Sequence, residues 1–189
     1  MTRIVAGKYR GRSLYVPANG TRPTSERVRE ALFSRLETWD ELRDAEVLDL
    51  FAGSGALGIE AVSRGAAKAT LVEFRQNAIN VIKRNLEAIG QTQLFQTIRA
   101  DAVKFANSVG AANYTLVFID PPYDFPAADL ETLLAGLTSH LKDNALLVIE
   151  ASKRTAEPNW PKAYTLESYR DWGETRVWFV TYRKEETDD

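Results

Sequence analysis

The chain of 189 residues contains no cysteine and a single histidine, His140. The absence of cysteine excludes disulfides, thiol nucleophiles and cysteine metal sites, and one histidine leaves almost no material for Ser–His or histidine–metal chemistry. No apolar run approaches the ~20 residues that span a bilayer, and the N-terminus lacks a signal-peptide core. We therefore expect a cytoplasmic protein, plausibly a monomer, with no metal and no membrane contact.

The net charge of −2 gives no indication of a nucleic-acid partner, but its distribution does. Residues 1–30 carry seven basic and two acidic side chains, so the remainder of the chain is strongly acidic. Such asymmetry is typical of a polyanion-facing surface, but a solvated basic hairpin would look the same. The basic side chains are Arg3, Lys8, Arg10, Arg12, Arg22, Arg27 and Arg29.

The N-terminal region, residues 1–44, is predicted to be a small extension of a hairpin and a helix. β-forming residues at 3–6 and 12–16 flank Gly7 and Gly11, which predicts the hairpin. Pro23 and the small polar residues after it mark a helix start, and Val28, Leu32 and Leu36 then recur at helical spacing. We place Arg27, Arg29 and Glu30 on the other, exposed face of this helix.

Residues 45–184 are predicted to form an α/β domain. Apolar, β-rich runs at 46–51, 69–73, 94–99, 114–119 and 145–150 alternate with helical stretches at 56–64, 75–89, 102–108 and 128–140. This alternation predicts a parallel sheet with helices on both faces and right-handed crossovers. Residues 163–183 split at Asp171–Gly173 into an antiparallel edge hairpin, which completes seven strands. Residues 185–189 form an acidic tail that we expect to fray.

The segment Val47–Gly58 predicts a strand, a glycine turn and a helix start, and two cofactors compete for it. Its Gly53-x-Gly55-x-x-Gly58 pattern matches the dinucleotide fingerprint, and Glu73 stands where a carboxylate can accept both ribose hydroxyls. An NAD-binding domain is therefore a competitor. Asp49, just before the turn, would repel a pyrophosphate but would balance the charge of S-adenosylmethionine, so we favour the methyl donor.

Further cofactor contacts are predicted at the ends of the next two strands. Asp101 can accept from an adenine amino group, with the N–H of Ala102 meeting a ring nitrogen, and it can also cap the helix that follows. Phe74 either stacks on adenine or packs in the core. The full predicted cofactor set is Asp49, Phe51, Ala52, Gly53, Ser54, Gly55, Glu73, Phe74, Asp101 and Ala102.

Asp120-Pro121-Pro122-Tyr123 closes the strand at 114–119 and is the predicted catalytic motif. If strands 46–51 and 114–119 are neighbours across the reversal of the sheet, this motif faces the glycine loop across one crevice. The Asp120 carboxylate and the Pro121 carbonyl would accept the two N–H bonds of a planar amine, with the prolines fixing the backbone. Tyr123 would stack on the base. The alternative is a rigid turn with Tyr123 in the core.

With these motifs the chain resembles the bacterial small-subunit ribosomal RNA guanine-N2 methyltransferases of the RsmD type, nearly end to end. The N-terminal Gly20-Thr21-Arg22-Pro23-Thr24 segment is the specific part of this resemblance, since the other motifs recur in many methyltransferases. The matching segments are Arg3–Arg12, Thr21–Thr24, Arg27–Phe33, Leu48–Gly58, Glu73 and Asp120–Tyr123.

The resemblance implies a Rossmann-like enzyme that uses S-adenosylmethionine to methylate a guanine of 16S rRNA in an assembled or assembling small subunit. It adds Thr24 to the basic residues as an RNA contact, giving Arg3, Lys8, Arg10, Arg12, Arg22, Thr24, Arg27 and Arg29. The leading alternative is an adenine-N6 methyltransferase acting on DNA or RNA. Methylation of a protein glutamine, where Asn would be expected in place of Asp120, and a non-catalytic RNA-binding assembly factor also remain.

Overall fold

A computed structural model describes residues 1–18 and 25–185, and within them seven strands form one mostly parallel sheet. A separate hairpin pairs β1 (Thr2–Arg3) with β2 (Ser13–Leu14). The sheet strands are β3 (Glu46–Asp49), β4 (Lys68–Glu73), β5 (Phe95–Arg99), β6 (Tyr114–Ile119), β7 (Leu141–Ser152), β8 (Tyr164–Trp172) and β9 (Thr175–Tyr182). The helices are α1 (Glu26–Thr38), α2 (Ala56–Ser63), α3 (Gln76–Ile89), α4 (Ala102–Ala106) and α5 (Ala127–Leu137), with 3-10 turns at Thr92–Leu94 and Thr138–His140.

The strand order is β5-β4-β3-β6-β7-β9-β8, and β9 runs antiparallel to both of its neighbours, β7 and β8. Strand β3 pairs in parallel with β4 on one side and with β6 on the other, so the winding direction reverses between β3 and β6. The predicted α/β architecture, the antiparallel C-terminal edge and the proximity of the first and fourth strands are confirmed. In such a sheet, ligands bind beyond the carboxyl ends of the strands at the reversal.

Buried side chains cover both faces of the sheet. On one face α1, α2 and α3 pack on alternate strand residues, and Phe33 of α1 contacts Phe118 of β6 with ring centroids 5.5 Å apart. On the other face α4 and α5 cover the intervening residues, among them Val117 and Ile119. Successive residues of a strand face opposite sides of the sheet, and both sides are buried here. The strand sequences are therefore nearly continuous apolar runs.

Several element boundaries differ from the sequence-based expectation. Strand β7 begins four residues early, at Leu141, because it pairs with Tyr114 across an irregularity in the β6–β7 register. Helix α5 ends at Leu137, where the chain tightens into a 3-10 turn. Helix α1 follows Ser25, whose side chain accepts a hydrogen bond from the Val28 N–H at 3.2 Å, as an N-cap does. The predicted tail lies outside the described residues, apart from Glu185.

The N-terminal hairpin is docked on helix α2 through buried polar contacts. The Glu60 carboxylate accepts hydrogen bonds from the backbone N–H groups of Val5 and Ala6, at 2.9–3.2 Å. Gly7 adopts a left-handed conformation against α2, where a Cβ would lie 1.9 Å from the Ser63 carbonyl oxygen. Only glycine can make this approach, so Gly7 fixes the position at which the hairpin docks on α2, the helix that follows the glycine loop.

Within the described ranges, 1–18 and 25–185, no helix is long and apolar enough to cross a membrane. The same residues contain no group of three or more histidine, cysteine or carboxylate side chains able to hold a metal ion.

Candidate active site

One large cavity lies beyond the carboxyl ends of the parallel strands, with a volume of about 1500 Å³. Ligand pockets for one small molecule usually enclose ~300–1,000 Å³, so this cavity has room for a cofactor and part of a second substrate. Its walls come from the start of α1, the glycine loop, the ends of β4 and β5, residues 120–123, the segment after β7 and the β8–β9 turn. The structure therefore brings together two motifs that are about 70 residues apart.

The glycine loop depends on two left-handed residues. Gly53 and Gly55 have φ of 57° and 81°, a conformation that other residues adopt at a cost. The Gly53 N–H donates to Glu73 Oε2 at 2.9 Å, which ties the loop to the end of β4. Gly58 serves packing instead, since a Cβ there would lie 2.3 Å from Leu71 Cδ2. The conformation of the loop beside the cavity is thus set by its glycine backbone and by the bond to Glu73.

Asp49 ends β3 just before the glycine loop and is not among the residues that line the cavity. Its side chain is buried, and Oδ2 accepts a hydrogen bond from the Gly58 N–H at 3.2 Å. Among the described residues its Oδ1 has no hydrogen-bond partner. Burial raises the pKa of Asp49 to about 7, against the lowering effect of the Gly58 bond and with a smaller contribution from the Glu73 charge.

Glu73 ends β4 and faces the cavity with its carboxylate already oriented. Its Oε2 receives the Gly53 N–H, and its Oε1 receives the backbone N–H and Nε of Arg75 at 2.9 and 3.2 Å. A carboxylate offers about four acceptor positions, so the oxygens keep capacity for a further ligand. Arg75 is a residue of this site that sequence reasoning missed, because nothing in the sequence distinguishes it from the other arginines.

The remaining predicted cofactor residues surround the same end of the cavity. Asp101 caps α4, with Oδ1 accepting from the Lys104 N–H at 2.9 Å, and it also lines the cavity beside Ala102. The predicted cap is confirmed. Phe74 is 65 % exposed and lines the cavity, so the core-packing alternative is wrong. Phe51 makes an edge contact with Phe125, with centroids 5.2 Å apart, which joins the glycine loop to the segment after the catalytic motif.

The Asp120-Pro121-Pro122-Tyr123 motif follows β6, the neighbour of β3, and lines the same cavity as the glycine loop. Asp120 and Pro121 are half-buried, and the Tyr123 side chain is 84 % exposed. The alternative of a core tyrosine is therefore wrong. The Phe125 N–H donates to the Pro122 carbonyl at 3.0 Å and closes a turn that fixes the motif. This arrangement leaves an aromatic face and a carboxylate accessible from the cavity.

Four of the predicted RNA contacts, Arg3, Lys8, Arg10 and Arg27, are exposed, and Arg27 also lines the cavity. Arg12 is exposed too, but its Nη1 donates to the carbonyls of Ala88 and Ile89 and caps the C-terminal end of α3. Arg22 and Thr24 lie outside the described residues.

The prediction that Arg29 lies on the exposed face of α1 is wrong. The residue is 1 % exposed, and its Nε lies 3.5 Å from Glu60 Oε2, an ion-pair distance without hydrogen-bond geometry. Its Nη2 donates to Thr2 Oγ1 at 3.1 Å and to the Arg3 carbonyl. Burial lowers the pKa of Arg29, and the attraction of Glu60 opposes that shift. Arg29 therefore joins the hairpin, α1 and α2.

The C-terminal hairpin supplies cavity residues that sequence reasoning did not assign. Trp172 and Gly173, at the β8–β9 turn, line the cavity together with the buried Trp178. The sequence predicted the hairpin, but not that its turn reaches the site. The strand pairing explains this position, because the end of β7 and the β8–β9 turn meet where Ser152 pairs with Thr175.

The strand order, the glycine loop and the acceptor-rich motif opposite it define an S-adenosylmethionine-dependent methyltransferase. A solved RNA methyltransferase of Salinibacter ruber in complex with S-adenosyl-L-homocysteine superposes with a TM-score of 0.65 over 88% of this chain and 97% of that one. At 19% identity, it shows the fold alone.

The chain belongs to the family described as Conserved hypothetical protein 95, which matches residues 2–181. It is 35% identical to the Ribosomal RNA small subunit methyltransferase D of Escherichia coli K12 over 184 residues, 97% of this chain and 90% of that protein. The solved yhhF chain of Escherichia coli, provisionally described as a methyltransferase, superposes with a TM-score of 0.83 at 34% identity and covers 97% of this chain and 98% of that one. The resemblance stated from the motifs is confirmed at the level of the family.

The residues at the glycine-loop end fit the cofactor of this class. Glu73 presents oriented acceptors for ribose hydroxyls, and the exposed Phe74 ring offers a stacking face for adenine. Asp49 Oδ1, which has no hydrogen-bond partner among the described residues, keeps acceptor capacity behind the glycine loop. A pyrophosphate would place negative charge near Asp49 and Glu73, so a dinucleotide does not fit.

Proposed function

We propose that this chain transfers a methyl group from S-adenosylmethionine to the exocyclic N2 of a guanine in 16S rRNA of the small ribosomal subunit. The observation that carries the proposal is that Asp120–Tyr123 and the glycine loop, which follow the neighbouring strands β6 and β3, line one cavity. The Escherichia coli relative, named as a small-subunit rRNA methyltransferase, supports the substrate class. A ribosomal substrate would place the enzyme in the bacterial cytoplasm.

The cofactor end of the cavity would be formed by Glu73 at the ribose, and by Phe74, Asp101 and Ala102 at the adenine. When bound there, S-adenosylmethionine supplies an electrophilic methyl group on a sulfonium. Asp49 would add a negative charge behind the loop, where the amino-acid part of the cofactor carries an ammonium group. These residues bind and orient, so their contribution is to hold the methyl group toward the opposite wall.

The acceptor end would be formed by Asp120, Pro121 and Tyr123. The lone pair of a purine amine is delocalised into the ring, which makes the amine a poor nucleophile. Two acceptors on its N–H bonds, the Asp120 carboxylate and the Pro121 carbonyl, draw the nitrogen toward tetrahedral geometry. An amine that takes the methyl group must lose one N–H proton, and the Asp120 carboxylate would accept it.

Stacking on Tyr123 would hold the target base, an interaction worth ~1–3 kcal/mol per base. The 84 % exposure of this ring leaves its face open to such a base. To enter, the base must leave its own stack, which costs a few kcal/mol and less in a loop. The exposed basic side chains Arg3, Lys8, Arg10 and Arg27 would contact the RNA backbone, with Arg27 at the cavity itself.

The test is transfer of labelled methyl groups from S-adenosylmethionine to small subunits, naked 16S rRNA, DNA and protein, followed by nucleoside identification. We expect N2-methylguanosine from ribosomal substrates. Asp120→Ala should abolish the signal, and Asp124→Ala is the matched control, because Asp124 is exposed and does not line the cavity. N6-methyladenosine would establish the adenine alternative, and label only in protein would overturn the proposal.

A further inference from the structure

Asn85 of helix α3 is a fully buried amide whose hydrogen bonds all go to backbone groups of two distant segments. Its Oδ1 accepts from the Tyr15 N–H at 2.8 Å, and its Nδ2 donates to the Tyr15 carbonyl at 3.0 Å. Nδ2 also donates to the Ser54 carbonyl at 2.9 Å. Both amide N–H donors are therefore used. The paired bonds to Tyr15 imitate the exchange between opposite residues of an antiparallel ladder.

The two segments that Asn85 joins form different parts of the cavity. Ser54 lies between Gly53 and Gly55 and lines the cofactor end. Tyr15 follows β2, and the next residue, Val16, lines the cavity from the N-terminal side. A single side chain behind the wall thus connects the glycine loop to the segment that comes from the basic hairpin.

The hairpin itself is anchored independently of Asn85. Glu60 holds the Val5 and Ala6 N–H groups on α2, and the Arg84 guanidinium lies 3.5 Å from the centroid of the Tyr15 ring. Loss of the Asn85 amide would therefore leave the hairpin docked. The local effect would be on the Tyr15 backbone and the Ser54 carbonyl, which would lose their shared donor.

We infer that Asn85 is a positioning residue that couples the cofactor loop to the N-terminal wall of the active site. Cofactor in the glycine loop fixes Ser54, Ser54 fixes the Asn85 amide, and the amide fixes the backbone of Tyr15. Because such coupling is reciprocal, a well-placed N-terminal wall also strengthens cofactor binding. The functional meaning of that wall rests on the proposed function, whereas the coupling itself is a property of this chain with its cofactor.

The variant that tests this inference is Asn85→Asp, which keeps the shape but replaces the NH2 group and its two donors by one carboxylate oxygen that faces two carbonyls. The matched control is Asn80→Asp, which adds the same charge to an exposed position of the same helix. Dissociation constants for S-adenosylhomocysteine are measured by calorimetry at a temperature where both variants are folded. We expect Asn85→Asp to weaken binding by about ten- to a hundredfold, since it leaves the part-buried Ser54 carbonyl of the cofactor loop without its donor, and Asn80→Asp to bind as the original chain does.

A second readout follows hydrogen exchange of the Tyr15 amide with and without S-adenosylhomocysteine. In the original chain we expect the ligand to slow this exchange, and in Asn85→Asp the slowing should be lost. Unchanged ligand affinity together with a lowered melting temperature in Asn85→Asp would show that the amide only stabilises the fold. If that variant does not fold, the original chain still decides, because Tyr15 exchange that is unaffected by ligand overturns the inference. Neither readout uses RNA, so a wrong substrate assignment would leave both interpretable.

Discussion

Replacing Arg29 by methionine should destabilise the fold without weakening RNA contacts directly. Breaking one partner of a buried ion pair costs ~3–5 kcal/mol, and the side chains of Arg29 and Glu60 are 2 % and 0 % exposed. Arg64 Nε remains 2.9 Å from Glu60 Oε1, so the carboxylate keeps one cation. We therefore expect a loss near the lower bound, about 3 kcal/mol. At a urea slope of about 2 kcal/mol per M, the midpoint should fall by about 1.5 M.

The matched control is Arg10→Met, which removes the same charge from an exposed position of the hairpin region. Surface substitutions usually change stability by less than ~0.5 kcal/mol, so its urea midpoint should stay unchanged while its affinity for RNA falls. In Arg29→Met the pattern should be reversed, with RNA affinity retained under conditions where the protein is folded. Unchanged stability with reduced RNA affinity in Arg29→Met would refute the structural role of this residue.

Arg10→Glu should weaken RNA binding and reduce its salt dependence by about one phosphate contact without changing cofactor affinity. The control is Lys68→Glu, at an exposed position where β4 begins, and equal effects of the two would contradict a specific RNA contact at Arg10. For Asp49 the folded pKa of about 7 exceeds the ordinary 3.8, so the native state holds the extra proton and stability should decline as pH rises from about 4 to 7. Asp49→Asn should flatten that decline in urea titrations of the cofactor-free protein, and an unchanged slope would contradict the burial argument. Gly58→Ala should lower the melting temperature, because its Cβ would lie 2.3 Å from Leu71 Cδ2, and Leu71→Ala in the same chain should recover part of that loss; a neutral Gly58→Ala would show that the helix can shift.

The architecture was predictable because each strand run is apolar and each is bounded by turn residues. The neighbouring positions of β3 and β6 followed from the reversal rule for doubly wound sheets. The same rule predicted from the sequence that Asp120 and Gly53 line one cavity. The exposure of Tyr123 was left as one of two alternatives, since a sequence does not show whether an aromatic side chain after a strand turns inward or outward.

The error at Arg29 was avoidable from helical spacing. Arg29 precedes Leu32, Phe33 and Leu36 by three, four and seven residues, which places it in the apolar stripe of α1. A buried arginine needs a buried partner of opposite charge, and Glu60 lies between apolar residues of α2. The helix-capping bonds of Arg12 were not predictable in this way, because they join residues 76 and 77 positions apart through tertiary packing.

The location of Asp49 behind the loop also depends on packing that the sequence does not contain. The glycine pattern predicted a turn after β3, but the bond from the Gly58 N–H to Asp49 Oδ2 forms only when α2 lies close on the sheet. The same close approach requires the absence of a side chain at residue 58. The role of Asp49 in balancing the charge of the cofactor therefore stays a prediction, to be exerted from behind the cavity lining.

The central claim is that Asp120 acts on the methyl acceptor and not on the cofactor. The most direct measurement compares single-turnover methyl transfer to small subunits with calorimetric binding of S-adenosylhomocysteine, for the original chain and for Asp120→Ala. The account predicts that transfer is lost while the dissociation constant for S-adenosylhomocysteine stays within about twofold. Retained transfer, or a parallel loss of transfer and ligand binding, would contradict it.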